Sequence, residues 1–124
     1  MYGYLIVFLG AGLGGALRHG VNVLAAWLFG IAFPMGTFFV NASGSLVMGM
    51  LAGYFAFWGE ASQEWRLFLT TGALGGYTTF SAFALDAVLL WERGATIAAV
   101  IYVIASVILA IFGLFFGLWL FRPR

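Results

Sequence analysis

The sequence has few charged residues and no cysteine. Only nine of its 124 residues are charged, whereas a soluble domain of this length carries about thirty. All five basic residues are arginine and the net charge is +1, too small for a surface that follows nucleic-acid phosphates. The lack of cysteine excludes disulfide bonds and thiolate metal sites. One histidine and four scattered acids form no nucleophile–base pair or metal cluster, so we expect neither an enzyme nor a nucleic-acid-binding protein.

Apolar residues make up 65% of the chain and fall into four long runs. Each run is long enough to cross a hydrocarbon core of about 30 Å. Short breaks separate the runs, one containing Pro34, one polar at 59–64 and one at 92–94. We therefore predict an all-α integral membrane protein with a single transmembrane domain over residues 1–124. Its four helices are expected at about residues 2–29, 36–58, 65–91 and 95–121.

Tryptophans are expected near the membrane surfaces, where their amphipathic rings are favoured. All five lie near predicted helix ends: Trp27, Trp58, Trp65, Trp91 and Trp119. An even number of spans puts both termini on one side with Arg66, Arg122 and Arg124. Arg93 lies on the other side, joined by Arg18 if its side chain reaches outward. This bias is small, and it is compatible with one fixed orientation or with insertion in both orientations.

Glycines in the first run formally match a dinucleotide-binding pattern, with Gly10, Gly12 and Gly15 at the required spacing. No strand precedes them and no acid follows until Glu60, so that interpretation fails. Gly10 and Gly14 are four residues apart, which instead favours close packing against another helix.

The second run carries small and polar residues at intervals of four: Asn41, Ser45, Gly49 and Gly53. They share one helical face, and small residues there allow another helix to approach closely. Asn41 therefore points into a helix interface. Two roles are open: a hydrogen bond that only holds the bundle together, or a polar group that serves function.

The third run contains a poor helix sequence at mid-membrane, Gly-Gly-Tyr-Thr-Thr at 75–79. We predict a break at about Gly75–Thr79 that leaves two half-helices of about 15–18 Å each. Freed backbone groups at this depth are tolerated only when buried in protein or lining an ion site. Glycines alone would indicate a kink tolerated by packing, whereas the adjacent threonines favour an ion site.

Aromatic and hydroxyl side chains surround this predicted break. Phe80 and Phe83 share a helical face, and the positive edges of aromatic rings attract anions. Most phenylalanines in membrane helices contact lipid or pack, so composition alone does not decide their role. In the fourth run, Tyr102 and Ser106 form a short polar stripe that Ala110 and Leu114 interrupt.

Three motifs together resemble the bacterial fluoride channels, the Fluc or CrcB family, over the whole chain. The motifs are Gly-Gly-Ala-Leu-Arg at 14–18, Gly-Thr-Phe-Phe-Val-Asn-Ala-Ser-Gly at 36–44, and Gly-Gly-x-Thr-Thr-Phe-Ser-x-Phe at 75–83. The resemblance implies an antiparallel, dual-topology homodimer in the bacterial inner membrane. It also implies two fluoride pores per dimer, passive export of fluoride, and a structural sodium ion on the two-fold axis.

The resemblance also implies roles for individual residues. Phe80 and Phe83 match an aromatic box that contacts fluoride, and the backbone carbonyls of Gly75 and Thr78 match the sodium site. The other expected pore residues are Asn41, Thr79, Ser81, Tyr102, Ser106 and Arg18, of which Ser106 is included because it shares the face of Tyr102. The chain departs from the family pattern at Ala82, Asp86, Ala110 and Leu114, which leaves the aromatic box intact.

Two other classes share this size and topology. Four-span multidrug exporters use an acid in the first span to couple protons, and none is present here. A non-transporting assembly subunit is less compatible with polar groups at mid-membrane. Anion flux through the purified protein, and its dependence on protons, would separate these classes.

Overall fold

The computed structural model describes residues 2–124, which form helices joined by short loops. These are α1 (Tyr2–Phe29), α2 (Met35–Phe57), α3 (Gln63–Leu67), a π-helical segment (Phe68–Leu74), α4 (Gly75–Tyr77), α5 (Phe80–Glu92) and α6 (Thr96–Leu120). Within this described part, four stretches are long and apolar enough to cross a membrane: Tyr2–Phe29, Met35–Phe57, Gln63–Glu92 and Thr96–Leu120. The chain is a multi-pass membrane protein, and the prediction of four apolar helices is confirmed.

Local signals place the helix ends close to the predicted bounds. After α1, Gly30 adopts a positive φ of 76° and its N–H donates to the Ala26 carbonyl at 2.9 Å, which ends the helix. Ser62 accepts a hydrogen bond from the Trp65 N–H at 3.4 Å, so the third span begins at Gln63, two residues before the predicted start. Gly94 has a φ of 85° in the turn between the last two spans.

The third span departs from regular helix at two threonines. Thr78 and Thr79 have extended backbones, with ψ values of 156° and 121°. Sequence analysis places a break within Gly75–Thr79, but the glycines of that stretch stay helical in α4. The Thr78 N–H and its hydroxyl both donate to the Leu74 carbonyl at 2.9 Å, so helical hydrogen bonding continues up to Thr78. The Thr79 hydroxyl accepts from the Ala82 N–H at 3.2 Å and caps α5.

Glycines let α1 lie against the third span at backbone distance. A methyl group on Gly10 would lie 2.7 Å from the Phe68 carbonyl oxygen. A methyl on Gly14 would overlap the Ala73 carbonyl and lie 2.8 Å from the Tyr77 nitrogen. The spacing of these glycines therefore reflects helix packing, as the sequence predicts, and the packed partner includes the π-helical segment.

The longest interface joins α2 to α6. A methyl on Gly49 would overlap the Leu114 carbonyl oxygen, and one on Gly117 would lie 2.8 Å from the Gly49 carbonyl carbon. These contacts fix the register of α6 on α2, which in turn sets where Asn41 and Ser106 face each other.

The surface and the buried core match a membrane environment. All five tryptophans lie near the ends of the spans and are more than half exposed, as an aromatic belt requires. A small buried cluster forms around Tyr102, Leu90 and Ala99 between α5 and α6. Most other large apolar side chains are exposed, although Val40 and Leu74 are buried, so lipid or a second protein must cover the exposed ones.

Candidate functional site

A cavity of about 310 Å³ opens between α2, α5 and α6, beside the two extended threonines. Ten residues line it, and all have uncharged side chains. They are Asn41, Ser45, Thr78, Thr79, Phe80, Phe83, Ser106, Val107, Ala110 and Ile111. Six of the ten residues predicted for the pore or the cation site meet here, although they come from three separate helices and the two residues between α4 and α5.

The two phenylalanines predicted to form an aromatic box are in contact. The ring centroids of Phe80 and Phe83 lie 5.7 Å apart at an interplanar angle of 64°, an edge-to-face arrangement. Phe83 also lies 5.2 Å from the Tyr102 ring. Phe80 is 81% exposed at the rim of the cavity, whereas Phe83 is half-buried. The ring of Phe83 therefore packs inside the protein, whereas the exposed ring of Phe80 is free to contact an ion, lipid or a second subunit.

Asn41 makes a two-point contact with the backbone of Thr79. Its Nδ2 donates to the Thr79 carbonyl at 3.0 Å, and its Oδ1 accepts from the Thr79 N–H at 2.8 Å. The interhelical hydrogen bond that the sequence left open as one of two roles is therefore present. One N–H of Nδ2 is not used in this pair.

Tyr102 is fully buried and does not line the cavity itself. Its hydroxyl donates to Asp86 Oδ2 at 3.0 Å, across the contact between α5 and α6. The ring contacts Phe83, and Phe33 from the loop between α1 and α2 packs edge-on against it at 5.5 Å. Tyr102 thus supports Phe83 from behind. The contact with Asp86 could not be predicted from the sequence, because it depends on how α5 and α6 align.

Ser106 lies one turn after Tyr102 and borders the cavity. Its side chain is 93% buried, and its Oγ has no hydrogen-bond partner among residues 2–124. A buried hydroxyl without a partner costs about 1–3 kcal/mol relative to a satisfied one. Ser106 therefore presents an unused donor and acceptor next to the cavity.

The remaining predicted residues lie outside this cavity. Ser81 is exposed, with its hydroxyl 3.5 Å from that of Thr79. Gly75 lies on the exposed side of α4, and Arg18 lies on α1 with a buried Nε that has no partner in the described chain. The pore and cation-site roles assigned to these three, and to the residues that line the cavity, stay predictions. Ser45 lines the cavity although sequence analysis treats it only as a packing residue, and its spacing of four from Asn41 is the signal that identifies it.

Comparison with known proteins identifies the family. A family model described as CrcB-like protein, Camphor Resistance (CrcB), matches residues 5–118. This chain belongs to the CrcB family. Among CrcB relatives, "Fluoride-specific ion channel FluC 2" of Nitrobacter hamburgensis is 60% identical over 119 residues, covering 96% of each chain. "Fluoride-specific ion channel FluC" of Rhodopseudomonas palustris strain BisB5 is 64% identical with the same coverage. A relative of the same name from Methylobacterium nodulans is 61% identical over 113 residues, covering 91% of this chain and 90% of the relative.

The positions where this CrcB chain departs from the common pattern have distinct places in the structure. Ala110 borders the cavity one turn after Ser106, so the polar stripe of α6 ends inside it. Leu114 packs against Gly49 in the interface of α2 and α6. Ala82 contributes its N–H to the cap of α5, a role independent of its side chain. Asp86 accepts a hydrogen bond from the Tyr102 hydroxyl through its carboxylate.

The walls of the cavity in this CrcB chain combine uncharged polar groups with apolar side chains. Its polar wall is made of hydroxyls and one amide, and its apolar wall includes two aromatic rings. The first turn of α5 begins at Phe80, and the N–H groups of a first helical turn carry partial positive charge.

Proposed function

We propose that this chain is a fluoride-selective channel that exports fluoride passively across the bacterial inner membrane. The observation that carries the proposal is 60–64% identity, over 96% of the chain, to relatives named as fluoride-specific ion channels. The neutral cavity lined by Asn41, Ser106 and two aromatic rings supports it, because conduction requires binding that is weak enough for release. Channels catalyse no chemical reaction, which agrees with the prediction that the chain is not an enzyme.

Fluoride efflux from proteoliposomes that contain only this chain tests the proposal. Fluoride leaving alone builds up a membrane potential that stops further efflux, so a potassium ionophore is added to dissipate it. A fluoride electrode should then record rapid efflux, and vesicles without protein should show none. If fluoride flux required a proton gradient, the protein would be a proton-coupled exporter and not a channel. No flux from monodisperse protein would favour the assembly subunit.

Phenylalanine variants test whether the ring edges contact the ion. We expect Phe80→Ile and Phe83→Ile to lower fluoride flux strongly while the folded protein still purifies, because isoleucine is apolar but has no positive ring edge. Phe→Met at either site should be milder, since the thioether is polarisable. Phe112→Ile is the matched control, because Phe112 is 68% exposed on α6 and is not among the residues that line the cavity. Full flux in both test variants would remove the rings from the mechanism.

The quaternary arrangement we propose is an antiparallel homodimer with two pores and dual topology. Support comes from apolar surface on α1 and the π-helical segment, where Phe8, Leu13 and Phe68 border a hollow of about 770 Å³. The small arginine bias of the sequence also fits insertion in both orientations. The chain has no cysteine, so single cysteines at Gly59 and Gly94 can report topology. Each should be labelled from both faces of the membrane, and labelling from one face only would contradict dual topology.

We further propose that the third span is interrupted at mid-membrane and that the interruption holds a structural sodium ion. Support comes from the extended backbone at Thr78 and from the Thr79 N–H, which bonds to Asn41 instead of to Gly75 four residues earlier. Unwound carbonyls at such interruptions suit sodium, and those of Gly75 and Thr78 from two subunits would surround it. A structural ion predicts that fluoride flux continues when the sodium gradient is collapsed. Loss of flux on collapse would make sodium a transported ion.

A further inference from the structure

Three consecutive residues at the interruption are held by one turn of α2. Asn41 bonds to the backbone of Thr79 through both of its polar atoms. The Ser43 hydroxyl lies 3.0 Å from the Tyr77 hydroxyl. Gly44 makes room for Thr78, because a methyl at Gly44 would overlap the Thr78 methyl and lie 3.2 Å from the Tyr77 ring. The geometry of Tyr77–Thr79 is therefore set from outside the third span.

We propose that Asn41 is a positioning residue that clamps the backbone of Thr79 and so keeps the third span interrupted. In a continuous α-helix the Thr79 N–H would donate to the Gly75 carbonyl. Asn41 Oδ1 takes that N–H at 2.8 Å, so the Gly75 carbonyl loses its helical partner. Asn41 Nδ2 meanwhile bonds to the Thr79 carbonyl at 3.0 Å, which keeps the residue extended.

The clamp connects the two ends of the interruption. On one side it leaves a carbonyl free at Gly75. On the other side it holds Thr79 where its hydroxyl caps α5 through the Ala82 N–H, and α5 carries Phe80 and Phe83. A single amide thus sets both the free carbonyl and the orientation of the aromatic pair. The link to ion flow rests on the fluoride conduction proposed above, whereas protection of the Thr79 amide is a property of the fold alone.

Hydrogen exchange at the Thr79 amide, followed by mass spectrometry of detergent-purified protein, tests the clamp without measuring flux. In Asn41→Ala we expect the Thr79 amide to exchange about tenfold faster or more, because its acceptor is gone and the interruption opens more often. Ser45→Ala is the matched control, since Ser45 lines the same cavity one turn later on α2 and should leave this amide as protected as in the wild type.

Asn41→Asp provides a rescue arm. A protonated aspartic acid offers one acceptor and one O–H donor, which replaces both hydrogen bonds, whereas the carboxylate offers acceptors only. The walls of the cavity carry no titratable side chain. Beyond them, Asp86 on α5 pairs with Tyr102 on α6, and the Tyr77 hydroxyl on α4 lies 3.0 Å from that of Ser43. Relative to Ser45→Ala at the same pH, protection at Thr79 should therefore return as the pH falls through the titration of the new carboxyl.

Two results would overturn the clamp. Unchanged protection of Thr79 in folded Asn41→Ala, with flux lost, would make Asn41 a direct ligand of the ion through its remaining N–H. Protection in Asn41→Asp that does not change with pH would show that the backbone contact does not hold the interruption. Absence of fluoride flux in the wild type, with the expected exchange pattern intact, would refute the channel function and leave the clamp standing.

Discussion

The closest backbone contact between α1 and the third span offers a direct test of how the bundle is assembled. Gly14 is buried, and a methyl group there would overlap the Ala73 carbonyl and lie 2.8 Å from the Tyr77 nitrogen. Both neighbours are backbone atoms of a packed helix, so neither can rotate away. Gly14→Ala therefore forces α1 and the third span apart.

The size of this effect follows from the geometry. Carbon atoms prefer separations of about 3.5–4.0 Å, so relieving the overlap moves the helices by roughly 1 Å or more. Overpacking of this kind costs about 1–3 kcal/mol, and fixed backbone neighbours place Gly14→Ala at the upper end. A loss of about 3 kcal/mol changes the folding equilibrium by more than a hundredfold.

Gly20→Ala is the matched control because it lies on the same helix and a methyl there meets nothing within 4 Å. Alanine is a better helix former than glycine at both positions by about 1 kcal/mol, so the difference between the variants isolates the clash. Denaturant unfolding in detergent should show Gly14→Ala less stable than Gly20→Ala by about 3 kcal/mol. Flux per folded protein should also fall in Gly14→Ala, because Tyr77 directly precedes the extended Thr78. Equal stabilities would refute the close contact.

Three further substitutions give separate tests. Tyr102→Phe should lower the free energy of unfolding by about 1–3 kcal/mol, since it leaves the Asp86 carboxylate without its 3.0 Å hydrogen bond, and an unchanged unfolding curve would contradict that contact. Ser106→Ala should keep or raise stability because the buried Oγ has no partner in the described chain, yet fluoride efflux should fall; lower stability with full efflux would reverse this assignment. Arg93→Gln should speed amide exchange in the loop after α1 by about tenfold, because the guanidinium hydrogen bond to the Ala32 carbonyl is lost, and equal exchange would make that bond irrelevant to loop order.

The four helices could be predicted because membrane burial dominates every local preference. A run of more than about 20 apolar residues is long enough to span the membrane. Pro34, Gly94 and the polar stretch before Trp65 clearly mark where the runs end. The helix ends deviate by two residues or less from prediction, and the largest deviation comes from the Ser62 cap. The π-helical segment could not be predicted, because its backbone faces Gly10 of α1 and that contact exists only after packing.

The backbone of residues 75–79 shows a limit of propensity. Glycine is the poorer helix former, so the sequence directs attention to the Gly-Gly pair. In the structure the glycines remain helical and the two threonines are extended. The Thr79 hydroxyl caps α5, and the Asn41 side chain bonds to the Thr79 backbone. Propensity thus located the weak segment, and side-chain hydrogen bonding selected the residues within it.

The identity of the ion is harder to predict from the sequence than the fold. An ion site built from charged side chains can be recognised in a sequence by its carboxylates or arginines. A neutral ion site uses amides, hydroxyls and ring edges, which also occur in ordinary helix packing. Asn41 illustrates this, because the residue types around it permit either a bundle contact or an ion contact. Its pairing with Thr79 joins two residues that lie 38 positions apart in sequence, so it forms only when α2 packs beside the third span. Weak binding is what lets a channel release its ion, so the feature that makes conduction fast also makes the site hard to distinguish from packing in the sequence.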